Sequence, residues 1–155
     1  MRLAPRFAAV MACVALCGLL SVGRAAAADK PEYAVAYRQG IMAALAWNIG
    51  PIGKMVKGDL PFDDARFAFL AARAATLAPM ALEGFTPDTA KVKSHVKPKL
   101  WENQDDFKKR MQDLGTASSD LSKAAALGDQ AQMRLKFSDT VKICKGCHDE
   151  YQVKH

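Results

Sequence analysis

Near the end of the chain, Cys144, Cys147 and His148 fall within the run Ile143-Cys144-Lys145-Gly146-Cys147-His148-Asp149. Two thiols three positions apart, with an imidazole directly behind, could grip zinc, cycle as a disulfide or hold a haem. On a helix the three occupy i, i+3 and i+4, a single patch of one face. A structural zinc site requires a fourth protein ligand; only His95 and His155 remain as soft donors, and neither has finger-type spacing. A thioredoxin-type pair belongs at a helix start after a strand, and no strand pattern occurs here. A plain disulfide leaves His148 without a role. Haem attachment uses all three residues. Each thiol adds across one vinyl group, and the imidazole one turn from Cys144 reaches the iron from the same side. C-x-x-C-H is the recognised attachment run for c-type haem. The expectation is one haem c per chain, with His148 as the proximal axial ligand to iron.

The start of the chain supports this chemistry by implying export. Arg2 and Arg6 precede an uncharged apolar run over residues 7–22, and Ala26-Ala27-Ala28 offers a small-residue cleavage site. Residues 1–28 therefore read as a signal peptide and 29–155 as the mature domain. An uncleaved anchor is the competing reading, but the run is short of the roughly 20 apolar residues that span a bilayer. Cys13 lies inside the apolar run, which speaks against lipidation. A periplasmic protein without stable membrane insertion is expected, since bacterial c-type haem is attached outside the cytoplasm.

Of 155 residues, a leader of 28 leaves 127, enough for one domain with a real core. Arg2, Arg6 and Arg24 leave with it and no acid does, so the net charge falls from +6 to +3. That is too mild for a nucleic-acid binder. Cys13 and Cys17 leave as well, so Cys144 and Cys147 remain as a single close pair. One such pair is not a disulfide scaffold.

Four stretches with helical spacing must position the pair, and none alternates with period two. The first covers residues 31–56, with Val35, Met42, Leu45, Ile49, Ile52 and Val56 on one stripe and a kink expected at Gly50-Pro51. Gly58 and Pro61 mark the turn. The second opens near Phe62, with Asp63 and Asp64 at its positive end, and carries Phe67, Leu70, Ala74, Leu77 and Ala81. A lysine-bearing loop follows over residues 83–97. The third helix opens at Pro98, buries Trp101, Phe107, Met111, Leu114, Leu121 and Ala125, and stops at Gly128. The fourth begins at Asp129, where Gln132 suggests a capping box, and lines Met133, Phe137, Val141, Cys144, His148 and Tyr151 along one face. The pattern predicts an all-α antiparallel four-helix bundle.

Met42 is the candidate for the other side of the iron. It lies four residues after Arg38 on the same face, about 6 Å further along. Gly40, Ala43, Ala44 and Ala46 leave room beside it for a flat macrocycle; ordinary core filling is the competing reading. Lys142, Lys145 and Lys154 form either a basic collar around an exposed haem edge or solvated lysines, the latter being preferred. His95 reads as a surface histidine, Tyr151 as packing against the haem or the bundle end, and Trp47 and Trp101 as packing residues. No phosphate loop and no nucleophile-base spacing points to an enzyme.

The stretches "CKGCHDEY" near the C-terminus, "YRQGIM" in the first helix, "VKGDLPFD" at the first turn and "KPKLWENQDDF" opening the third helix resemble the class II c-type cytochromes, cytochrome c′ and its low-spin relatives. The resemblance samples nearly all of the mature chain. It implies a four-helix bundle with haem between helices, and an arginine at Arg38 near a haem propionate, where a guanidinium fork suits a carboxylate. In low-spin members a Met at the position of Met42 binds iron. In cytochrome c′ proper the residue there only crowds the distal face, and "RQGIM" fits either group. The two cases lead to different functions: single-electron carriage between redox partner proteins, or binding of NO or CO by a five-coordinate haem. The family is often dimeric through its first two helices, so a homodimer is a further expectation.

Overall fold

The computed structural model describes residues 30–153; the expected signal peptide and Lys154 lie outside them. Helix α1 spans Pro31–Lys57, α2 Asp64–Met80, α3 Lys99–Glu102, α4 Gln104–Leu127 and α5 Gln130–Tyr151. Short 3-10 turns at Ala81–Gly84 and Pro87–Lys91 lie between α2 and α3. The four long helices form the bundle. Among the described residues there is no strand, only one antiparallel bridge between Val96 and Gln152.

The helix ends follow local chemistry. Gly58 adopts φ 87°, a left-handed conformation suited to glycine, and stops α1. Asp63 caps α2 by accepting from the Arg66 amide at 2.9 Å, so the helix begins after Asp63 rather than at Phe62. Gly128, at φ 71°, ends α4 as expected. Asp129 then caps α5, accepting from the amides of Ala131 and Gln132 at 3.0 and 3.1 Å. α1 runs unbroken through Pro51. The carbonyl that loses its ladder donor there belongs to Trp47, on the exposed side of the helix.

The expected third helix is two helices. Asn103 breaks the ladder at φ −125°, ψ 48°, and its side-chain amide donates to the Lys99 carbonyl at 3.0 Å. Asparagine side chains offer the backbone this alternative to helical bonding. α4 then restarts with Asp105 and Asp106 in its first turn, where the helix dipole favours acids. Another expectation also changes: Trp47 is not a packing residue, being 77% exposed.

The core divides into two clusters. One contains Ile52, Met55, Phe67, Leu121, Met133 and Phe137. Full burial of each such side chain is worth about 1.5–3 kcal/mol, so this half is the anchor of the bundle. α1 and α5 meet there, and Gly53 makes it possible: a Cβ at Gly53 would sit 3.2 Å from Phe137 Cζ. The other cluster, around Leu45, Ala78, Leu100, Phe107, Met111 and Leu114, has Met42, Cys144 and Cys147 at its edge. α2 packs closely on α1 and α4, and α4 on α5, whereas α1 and α5 barely touch. Their seam is closed at one end and open at the other.

Candidate functional site

Cys144, Cys147 and His148 sit on α5 where it borders the open end of the seam. The helical turn places them on one patch, as their spacing requires. Both cysteines are half-buried and free of any disulfide. Burial pushes both thiols up from their ordinary value, with the nearby Arg110 guanidinium opposing this at Cys147. His148 is exposed toward the opening. Among the described residues no group of three or more His, Cys, Asp or Glu could hold a metal ion.

Two cavities adjoin the turn. The wider, about 350 Å³, is lined by residues that include Arg38, Met42, Ser94, His95, Cys147 and His148. The narrower, about 230 Å³, is lined by residues that include Met42, Ile49, Met111, Leu114, Cys144 and His148. Met42, Cys147 and His148 border both, so the structure brings the predicted α1 methionine and the α5 histidine to one opening. Polar side chains gather at the wide end, while the narrow cavity is mostly apolar, with Arg110 and His148 at its border. This asymmetry suits a flat macrocycle with an apolar body and carboxylates along one edge.

Arg38 is not a solvated helix residue. It is 2% exposed, and its Nη1 donates to the Gly84 carbonyl at 2.8 Å and to Thr89 Oγ1 at 2.7 Å. Nη2 donates to Ser94 Oγ at 3.2 Å. The guanidinium also lies 4.5 Å from the centre of the Phe85 ring and 5.8 Å from that of Trp101, within the range of cation–π attraction. Burial pulls its pKa down from the ordinary arginine value. This cation is held in the cavity wall.

The loop closes the wide end. Lys97 donates its amide to the Tyr151 carbonyl at 2.8 Å, and the Val153 amide donates to the His95 carbonyl at 2.9 Å. The strap brings Ser94 and His95 to the rim of the cavity, where His95 is exposed, as expected of a surface histidine. Tyr151 packs edge-on against Phe107, with ring centres 5.7 Å apart, and its hydroxyl donates to Asp106 Oδ2 at 2.5 Å. Arg110 Nε donates to the same oxygen at 2.6 Å. The spacing of Asp106 and Arg110 at i, i+4 was the signal available in the sequence for this pair. Phe85, Thr89 and Ser94 carried none, because their placement depends on the 3-10 turns. Lys142 and Lys145 are exposed and paired with Asp139 and Asp149, consistent with solvated lysines.

Comparison with known proteins agrees with this geometry. The family model described as Cytochrome C′ matches residues 33–152. A cytochrome c′ of Alcaligenes xylosoxydans xylosoxydans is 34% identical over 125 residues, covering 81% of this chain and 97% of the relative. The solved structure of cytochrome c prime from Shewanella frigidimarina superposes with a TM-score of 0.79 at 35% identity, covering 81% of this chain and 98% of that one. A mutant of Alcaligenes xylosoxidans cytochrome c prime, solved as its nitric oxide complex, superposes with a TM-score of 0.76 at 33% identity, covering 82% and 98%. A helical bundle with an open seam, an attachment run on its last helix and a family match across nearly the whole described domain lead to one assignment: the chain belongs to the cytochrome c′ family of class II c-type cytochromes, and it carries one covalently bound haem c.

Proposed function

We propose that the protein is a periplasmic single-electron carrier whose haem is attached through Cys144 and Cys147, with His148 as the proximal axial ligand and Met42 on the opposite side. The observation that carries this reading is that Met42, Cys147 and His148 border both cavities of the open seam. When bound, the haem supplies a one-electron Fe(III)/Fe(II) couple. The chain supplies the setting. Met42 presents a thioether, a soft donor that favours the reduced state when it ligates iron. Leu45, Ile49, Met111 and Leu114 keep water from the narrow cavity. Arg38, already fixed by Gly84, Thr89 and Ser94, offers a guanidinium in the wall of the polar end for a propionate. A site assembled on packed helices reorganises little when one electron is gained or lost.

A second reading has its own support. The apolar narrow cavity beside Met42 suits a small neutral gas such as NO or CO, and a related protein has been solved as a nitric oxide complex. On that reading Met42 crowds the iron without binding it. Oxidised and reduced spectra of the exported protein, with and without CO, distinguish the two. The carrier reading expects a low-spin spectrum indifferent to CO, which Met42→Ala converts to a high-spin, CO-sensitive one. A parent protein that is already high-spin, with a spectrum unchanged by Met42→Ala, overturns ligation by Met42 and leaves gas binding.

Exposed large aromatic residues concentrate on α1 and α2, namely Tyr33, Tyr37, Trp47 and Phe69. We place the contact of a homodimer on these two helices, because exposed apolar clusters mark association surfaces.

A further inference from the structure

Outside the attachment turn, one charged cluster adjoins the site without being needed to form it. Arg110 projects from α4 and lines the narrow cavity together with Cys144, Cys147 and His148. A Cβ at Gly146, between the two cysteines, would lie 3.8 Å from Arg110 Nη1, so the guanidinium rests against the attachment turn itself. Two contacts hold it there. Asp106, one turn earlier on α4, accepts from Arg110 Nε at 2.6 Å, and Tyr151 of α5 donates its hydroxyl to the same carboxylate oxygen at 2.5 Å. The Arg110 guanidinium also lies 5.8 Å from the centre of the Tyr151 ring. The Tyr151 ring and the bond from its hydroxyl to Asp106 thus tie the Asp106–Arg110 pair of α4 to α5. The other charges on this end of α5 are already matched, Lys145 with Asp149 and Glu150 with Lys99.

We infer that Arg110 is a positioning residue for electron transfer: held by Asp106 and Tyr151 against Cys147, it fixes a positive charge on the His148 flank of the haem and raises the reduction potential. The inference rests on the haem placement proposed above. Its physics is Coulombic. A fixed positive charge disfavours the extra positive charge of Fe(III) relative to Fe(II), and a partly buried site screens this less than water does. Asp106 offsets part of the effect, but Arg110 is the member that borders the cavity, so its sign dominates at the iron. The Arg110 side chain is 35% exposed, which keeps the effect moderate.

The test is spectroelectrochemical titration of the exported, haem-loaded protein and two variants. Arg110→Gln should shift the Fe(II)/Fe(III) ratio at fixed solution potential about tenfold toward Fe(III), a lowering of about 59 mV for one electron. Arg110→Lys keeps the charge and should stay within about threefold of the parent. A tether with no electrostatic role would lower the melting temperature in both variants and move the potential in neither. Should the Gln variant fail to fold, Arg110→Met preserves the aliphatic stem and carries the same expected shift. A ratio within twofold of the parent, at unchanged haem loading, overturns the inference. The mass of the parent is measured first. A parent without an added tetrapyrrole sinks the haem placement, whereas a loaded parent whose potential ignores Arg110 sinks only the role of Arg110.

Discussion

Gly84→Ala is expected to loosen the wall of the wide cavity, and its cost follows from three distances. A Cβ at residue 84 would lie 2.6 Å from the Ala34 carbonyl oxygen, 2.7 Å from Arg38 Cβ and 3.1 Å from the Arg38 amide nitrogen. All three belong to α1 backbone or to the root of a side chain, so no flexible group can turn aside. Either the 3-10 turn at Ala81–Gly84 or α1 must move. Overpacking of this kind costs about 1–3 kcal/mol. Displacing the turn also stretches the 2.8 Å bond from Arg38 Nη1 to the Gly84 carbonyl, a charge-assisted bond to a buried cation. At about 4 °C per kcal/mol for a domain of this size, the melting temperature should fall by about 4–12 °C. Gly115→Ala is the control. Nothing lies within 4 Å of its Cβ position in the middle of α4, so alanine should stabilise by about 0.5–1 kcal/mol. Far-UV circular dichroism melts at matched haem loading read both. If the two variants shift in the same direction, or Gly84→Ala melts with the parent, the close approach of this turn to α1 is refuted.

Three further outcomes follow from the charges and the surface. The Tyr151 hydroxyl first, and Arg110 second, hold the Asp106 carboxyl below the usual carboxylate range. Its stabilisation is therefore present above the unfolded pKa and is lost as pH falls through the lower folded value. Urea midpoints measured from about pH 5 downward should fall less steeply in Asp106→Asn, and parallel curves would refute the coupling. Burial first, and Asp106 second, push the Tyr151 phenol up to about 12, so its contribution is lost as pH rises toward that value. Tyr151→Phe should flatten the same curve on the alkaline side. Trp47→Lys, at a 77% exposed position, should leave the far-UV circular dichroism spectrum of the parent unchanged and shift sedimentation from dimer to monomer. An unchanged sedimentation coefficient would remove Trp47 from the proposed contact.

Helix spacing and capping chemistry were legible because they are local. The stripe through Leu45 and Ile52, the stop at Gly58 and the cap at Asp129 each depend on residues within a turn or two. The break at Asn103 was not legible, because proline at 98 and the apolar spacing from Trp101 to Leu114 describe one continuous helix, and a side-chain bond to Lys99 decides otherwise. At the site, Cys144, Cys147 and His148 announced themselves by type and spacing. Met42 was reachable as one turn beyond Arg38. The partners of Arg38 were not, because Gly84, Thr89 and Ser94 lie between 46 and 56 positions away in the chain. His95 was legible as a surface residue, but its place at the cavity rim was not, because only the pairing of the strap with the end of α5 carries it there. Trp47 misled because a large aromatic usually signals burial, and nothing in its neighbours reveals that its face of α1 has no helix against it.

The attachment thiols ride on the second half of α5. Met133 and Phe137, in the core cluster with Ile52, Met55 and Phe67, seat the first half of that helix without help from the sulfurs. The second half then stands beside a gap that protein atoms alone do not close. Covalent attachment there would stitch α5 to the rest of the bundle along the one seam that side-chain packing leaves open.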